Sequence, residues 1–450
     1  MKKEKSLIIL IVILAIVLGI LVKYTVDTIN ENNMPSTQNG QMNSNMPFGG
    51  QSGSAEYASD TEITEDTNIN SGEFSSETAD ENAISVSGDI NVTLSNIEVN
   101  KTGDSDGGDN TSFYGTNSGI IAKDGANLKL ENVDITTDAT GANGVFCYGG
   151  SATTNNSSSD GTNVTISDST ITTSADNSGG IMTTGGGIMN ASNLKINTSG
   201  VSSAAIRTDR GGGEVTVNGG TYKTTGQGSP AIYSTANVTA NDATLVAEAS
   251  EGIVIEGKNS VTINNCDLTD SNTKLNGKST TYKNIFLYQS MSGDAENGNS
   301  EFTANDSKIV TNNGDTFYVT NTTATINLSN TTIINNDSTG NFLRIQKDSW
   351  GNSGANGGNV SLIMTNQNAT GNIVVDSISD LNMTMKENSC FEGAINQENQ
   401  AENIVLVLDE TSKIKLTGDS YVTELNDSDE SYSNIDFNGF TLYVNGVAIK

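Results

Sequence analysis

"NVTLSNIEV", residues 91–99, places apolar side chains in alternation with Thr, Ser and Asn, the two-residue period of a β-strand. The phrase returns as "NLKLENVDI", "NVTISDSTI", "NLKINTSGV", "EVTVNGGTY", "NVTANDATL", "SVTINNCDL", "EFTANDSKI", "ATINLSNTTI" and "NVSLIMTNQ". Taking Val92, Leu128, Val164, Leu194, Val215, Val238, Val261, Phe302, Ala324 and Val360 as equivalent, the steps are 36, 36, 30, 21, 23, 23, 41, 22 and 36 residues. The short steps define a core period near 22, and the long ones are that period with inserts. Between the phrases a second strand recurs, in "SGIIAKDG", "NGVFCYGG", "GGIMTTGG", "SAAIRTDR", "SPAIYSTA", "EGIVIEGK", "KNIFLYQS", "DTFYVTNT" and "NFLRIQKD".

Two or three short strands per repeat, with Asn, Asp and Gly at the corners, make one coil of a parallel β-helix, an all-β solenoid. A sandwich also alternates, but it does not repeat a nine-residue phrase on this period. Ten or more coils at about 4.8 Å each give a rod of roughly 50–60 Å. The reading divides the chain into residues 1–27 (cytoplasmic stub and signal anchor), 28–81 (flexible stalk), 82–370 (β-helix) and 371–450 (atypical terminal coils that hide the last sheet edge). A first strand is already suggested within Thr61–Phe74.

The N-terminal assignment rests on "MKKEKSLIILIVILAIVLGILVKY". Ser6 to Val22 carry no charge, about the shortest stretch that spans a bilayer, and no small-residue cleavage site follows. Lys2, Lys3 and Lys5 hold the N-terminus inside, so the expectation is a single-pass membrane protein with its bulk outside the cell. The next fifty residues are polar and rich in Asn, Ser and Gly, too poor in large apolar groups to offset their ordering entropy.

Composition excludes whole chemistries. There is no histidine in 450 residues, which removes Ser-His and Cys-His catalysis and most zinc sites. With 53 acidic against 22 basic residues the formal charge is -31, and such a chain repels nucleic acid. Cys147, Cys266 and Cys390 match no metal-ligand spacing and read as small buried hydrophobes. "GDSDGGDN" brings Asp104, Asp106 and Asp109 into one loop without the spacing of an EF-hand, so calcium is only weakly signalled.

Aligning the second strand turns Ile120, Val145, Ile181, Ile206, Ile232, Ile253, Ile285, Phe317 and Leu343 inward. The outward track then carries Ile121, Phe146, Met182, Arg207, Tyr233, Val254, Phe286, Tyr318 and Arg344, with Lys123, Tyr148, Asp209, Glu256, Tyr288 and Gln346 two residues further on. Aromatic side chains are scarce in this chain, and they gather there. Two outcomes are open. Either the track is a ligand surface, walled by the inserts "GGSATTNNSSSDGT", "SMSGDAENGNS" and "DSWGNSGANGG", on which pyranose faces stack and hydroxyls take charge-assisted hydrogen bonds. Or inserts or stalk fold over it as a second core. Arg207, Asp209 and Arg210, followed by three glycines, likewise read either as an ion-pair brace at a turn or as a clamp for a uronate or sulfate.

Coils such as "ASEGIVIEGKNSVTINNCDLT" (249–269) and "GGGEVTVNGGTYKTTG" (211–226) resemble the right-handed parallel β-helix proteins of clostridial cell surfaces. Over residues 82–370 the chain is similar to the carbohydrate-binding β-helix family related to polysaccharide lyases. The resemblance implies a right-handed coil, cellulose or pectin as ligand, and bound calcium, although the run of Asp-rich coil corners is missing here. No catalytic set carries over. The leading expectation is a non-catalytic, monomeric surface rod that binds polysaccharide or acts as an adhesin. Its ligand residues would be Phe146, Tyr148, Arg207, Asp209, Arg210, Tyr233, Glu256, Phe286, Tyr288, Tyr318 and Arg344, and it would need no cofactor. The alternatives are a lyase or hydrolase on the same fold, with Arg207, Arg210 and Lys258 as bases beside Asp209 and Glu256, and a purely structural spacer.

Overall fold

A computed structural model describes residues 55–105, 108–151 and 159–449 of the chain. The apolar segment Ser6–Val22, the stalk up to residue 54 and Asp106 lie outside the described residues. Among those described, no helix is long and apolar enough to cross a membrane.

The strands stack into three long parallel sheets of 12, 14 and 10 strands, here called faces A, B and C. Up to Asp380–Lys386 each strand of these sheets pairs with the third one after it, the signature of a solenoid in which one coil contributes one strand to every face. The first coil is Ala58–Ile63 on face A, Thr67–Ile69 on face B and Gly72–Ser76 on face C. Face B alone continues unbroken to Glu424–Asp427. Face C passes into a four-stranded sheet that ends at Ile435–Asp436. Face A resumes as Ser420–Val422 and Leu442–Val444, the latter closed by an antiparallel partner, Val447–Ala448.

The solenoid therefore begins at Ala58, inside the stretch assigned to the stalk. Its first strands, "ASDTEI" and "GEFSS", are charged because they form an open sheet edge, and edge charge discourages pairing with foreign strands. Face A matches the aligned second strand: Ile120, Val145, Ile181, Ile206, Ile232, Ile253, Ile285, Phe317 and Leu343 form one in-register inward column. Face B needs two corrections. Val164 pairs with Met189 and Met189 with Val215, so the steps there are 25 and 26 residues, and "NLKINTSGV" supplies a face C strand, Lys195–Thr198. Further on Phe302 pairs with Ile326, a two-residue slip from Ala324 that keeps the same side of the sheet inward.

The residue directly after each of nine face B strands makes the corner between faces B and C. Asn96, Asn132, Asp168, Asn193, Asp242, Asn265, Asp306, Asn330 and Asn366 all hold φ between 47° and 54°, a left-handed turn that Asn and Asp tolerate best among residues with a Cβ. Their amides also link coils: Asn96 donates to Asn70 at 2.8 Å and Asn132 to Asn96 at 2.6 Å. One core of Val, Ile, Leu and Ala fills the interior, joined by rings from Phe302, Phe317, Phe342 and Phe391 with neighbouring centroids 5.5–6.0 Å apart. Cys147 and Cys266 are buried as expected, whereas Cys390 is only half-buried.

A polar ladder closes the corner between faces C and A. Thr137, Thr173, Thr198 and Thr224 each donate Oγ1 to a carbonyl five residues on, Thr137 to Ala142 at 2.8 Å. Asp270 occupies the same column, which runs Thr224, Ala247, Asp270, Thr311. It accepts the Asn272 N–H at 3.0 Å, but its Oδ2 is buried without a partner. Burial is the main cause that drives its pKa well above the usual carboxylate range, and Glu251 adds to it. A carboxyl with a raised folded-state pKa stabilises fully below the unfolded value and loses that contribution as pH rises through the folded one. D270T is therefore expected to gain about 1–3 kcal/mol at pH 7, with the gain shrinking toward pH 4. Urea unfolding at the two pH values measures it; equal effects at both would contradict the assignment.

Candidate functional site

The outward track of face A exists in the register anticipated, from Ile121 through Phe146, Met182, Arg207, Tyr233, Val254, Phe286 and Tyr318 to Arg344. It is not an open surface. Phe146 and Tyr318 are 0 % exposed, Glu256 1 % and Phe286 4 %; Asp209 and Tyr288 are also buried, and Tyr148, Arg207, Arg210, Tyr233 and Arg344 are half-buried. The expectation of an exposed aromatic groove is thus overturned, and the covered alternative holds.

Two satellite cores lie along the face. In the first, Ile121, Phe146 and Met182 pack with Tyr57 and Tyr148. Their cover comes from residues 108–118, which carry a single helical turn, Asn110–Tyr114. Buried Lys101 and Asn117 staple its base, Lys101 to the Thr78 and Gly103 carbonyls at 2.9 and 2.6 Å, Asn117 to those of Gly103 and Thr140 at 3.0 and 3.1 Å. Thr184 donates to the Phe113 carbonyl at 2.7 Å, and Tyr57 to that of Tyr114 at 2.9 Å. Gly115 lies so close to the Phe146 ring that a Cβ there would come within 2.5 Å of it.

In the second core Val254, Phe286, Tyr288 and Tyr318 pack with Tyr233 and Trp350. Phe286 stacks on Tyr288 at 4.4 Å, and Trp350, from the insert "DSWGNSGANGG", meets both rings at 5.2 and 5.3 Å. Asp348 of that insert accepts the Tyr318 hydroxyl at 2.5 Å. Beneath, Lys283 is fully buried, 3.8 Å from Glu251 and 4.5 and 4.7 Å from the Phe286 and Tyr318 ring centres. Burial lowers its pKa, opposed by Glu251. Glu256 is a hub for hydroxyls, accepting from Tyr233 at 2.6 Å, Tyr288 at 3.0 Å, Ser292 at 3.4 Å and, more closely, Ser290.

The arginine cluster joins the two covers. Arg207 donates to Asp209 at 2.9 Å and reaches Ser112 of the first cover at 3.3 Å. Arg210 donates to Asp294 of the insert "SMSGDAENGNS" at 2.8 Å and lies 4.0 Å above the Phe113 ring. Burial pushes the Asp209 carboxyl up to about 6, against Arg207 and with help from Asp294. Arg344 is held by Asp315 at 2.5 Å. These forks are engaged inside the chain, the brace rather than the clamp, and Lys258 stands exposed at 3.7 Å from Glu296. R210A is expected to free Ser290–Gly298, seen as faster amide deuteration there, at a global cost of no more than about 1 kcal/mol for a part-exposed pair. Unchanged exchange would show that the pair does not pin the insert.

Residue patterns alone missed the cover formed by residues 108–118, and also Lys101, Glu251, Asp270 and Lys283. They also missed a groove of about 670 Å³ along the first B–C corners. Asn96, Asn132 and Asp168 line one wall, and Glu73, Glu98 and Asp134, stacked one per coil, line the other. Among the described residues no group of three or more acidic or cysteine side chains is arranged to hold a metal ion, and Asp104 is engaged by the Thr140 N–H at 2.7 Å. No family model, curated protein or solved structure matches this chain.

Proposed function

We propose that this chain is a membrane-tethered, right-handed β-helical rod at the cell surface that binds polysaccharide, or acts as an adhesin, without catalysis. The apolar segment after three lysines supports the tether, and parallel crossovers are right-handed almost without exception. The observation that carries the non-catalytic reading is the engagement of the charged members of the track: Lys123, Arg207, Arg210, Arg344, Asp209 and Glu256 all face partners in their own chain. A lyase base on face A loses its support for the same reason. Calcium has no part in this reading, and the rod works as a monomer.

A hydrolase remains the second reading because of the B–C groove. Carboxylates one and two coils apart sit about 4.8 and 9.6 Å apart along a parallel stack, which brackets the separations used by retaining and inverting glycosidases. Binding to a polysaccharide panel, run alongside release of reducing ends and of unsaturated uronates, separates these readings. Binding without product supports the module. Reducing ends that vanish in E98Q would replace it with the hydrolase, and silence in all assays would leave a spacer, which the covered track favours.

A further inference from the structure

Beyond Ile373–Val375 face A resumes at Ser420–Val422, and its outward residues there are two tyrosines. Tyr421 and Tyr443 pair in register on neighbouring strands, their rings 4.7 Å apart and 5° from parallel. Both are half-exposed, and neither hydroxyl meets a partner among the described residues. The residue paired with Tyr443 on its other side is Ala448, which leaves the outer ring face uncovered by a large side chain. Val447 at 66 % exposure and Phe440 at 38 % extend the apolar surface of this end. Asp419 borders it, one carboxylate oxygen taken by the Thr441 N–H at 2.9 Å and the other without a partner. The rings of the covered track are the opposite case, since the Tyr233, Tyr288 and Tyr318 hydroxyls are all taken up by carboxylates of the chain.

We propose that Tyr421 and Tyr443 form an aromatic platform at the C-terminal end of the solenoid that docks the pyranose faces of a neutral polysaccharide; this rests on the polysaccharide-binding reading above. Ring faces take the C–H faces of sugars, while the free phenols and Asp419 offer polar partners to sugar hydroxyls. The charge of the end selects against anionic polymers: Asp419, Glu424, Asp427, Asp429, Glu430 and Asp436 crowd the last coil, and the nearby Lys415 is held by Glu392 at 2.8 Å. A protein partner fits less well, because a stable protein interface engages some 20–30 residues a side and this patch offers four large apolar side chains. Within the stack the platform lies at the opposite end from Ala58, the end through which the chain leaves toward its N-terminus.

Affinity electrophoresis of the full chain in detergent tests the proposal, with hydroxyethylcellulose as the neutral probe and polygalacturonate as the anionic one. The wild type should be retarded by the first and not the second. Y421A and Y443A should each weaken retardation about tenfold, while Y443F, which keeps the ring, should stay within about threefold. Undiminished binding by a folded Y443A overturns the platform and leaves the polysaccharide reading standing. Failure of the wild type to bind any polysaccharide overturns both. Equal binding of polygalacturonate overturns the selection for neutral chains, and a dimer in the wild type that Y443A dissociates would show the pair to be a contact between proteins.

Discussion

Replacing Glu256 with alanine is expected to lower the stability of the rod by about 3 kcal/mol, since hydrogen bonds to a charged group contribute about 1.5–3 kcal/mol each. Two effects oppose each other. Truncation relieves the desolvation of a carboxylate that is 1 % exposed. It also strands the hydroxyls of Tyr233, Tyr288, Ser290 and Ser292 around a cavity, and four donors outweigh one relieved charge. Part of the loss is recovered if the insert opens to water, so deuteration of Ser290–Gly298 should rise together with the fall in urea midpoint. E256Q keeps the shape and an acceptor oxygen and should cost about half as much. A folded E256A of wild-type stability would mean that the hub is incidental.

The other large effect belongs to the main core. F317A is expected to cost about 3–5 kcal/mol, the range for truncating a fully buried phenylalanine. Phe317 is 0 % exposed and touches Phe302 and Phe342 at 5.8 and 5.5 Å, so its loss opens a cavity between three successive coils. In a solenoid each coil is supported only by its neighbours, and the defect should split one unfolding transition into two. F440A, at 38 % exposure, is the control and should stay within about 0.5 kcal/mol. A single unshifted transition in F317A would argue against a continuous stacked core.

Face A was legible residue by residue because its strand is a short apolar run that follows directly on Gly or Ala in the coils from Ile120 to Ile253, so one alignment carries through them. Face B was legible except around Leu194 and at the step from Phe302, which pairs with Ile326 rather than Ala324. Faces B and C share the same two-residue alternation, and "GGIMNAS" lacks the Asn-Val-Thr opening, so the pattern jumped to the next face. The first coil hid in a polar stretch because an edge strand resembles a linker in composition. The fate of the track was not legible at all, because its cover comes from distant sequence: Arg207 meets Ser112 from 95 residues away, and Arg210 meets Asp294 from 84. Nothing local marks "GDNTSFYG" (108–115) as a lid, and nothing in an alternating pattern shows that Lys101 and Lys283 turn into carbonyls and rings.

Arg207 and Arg210 follow the same rule: they brace the two covers against face A.

Trp350 gives the most direct test, because it is the only tryptophan in the chain and sits in the insert that closes over Phe286 and Tyr288. A closed cover predicts blue-shifted emission, weak quenching by acrylamide and a red shift in E256A. Emission at the wavelength of free tryptophan, with unhindered quenching in the native protein, would contradict the covered track and restore an open aromatic groove.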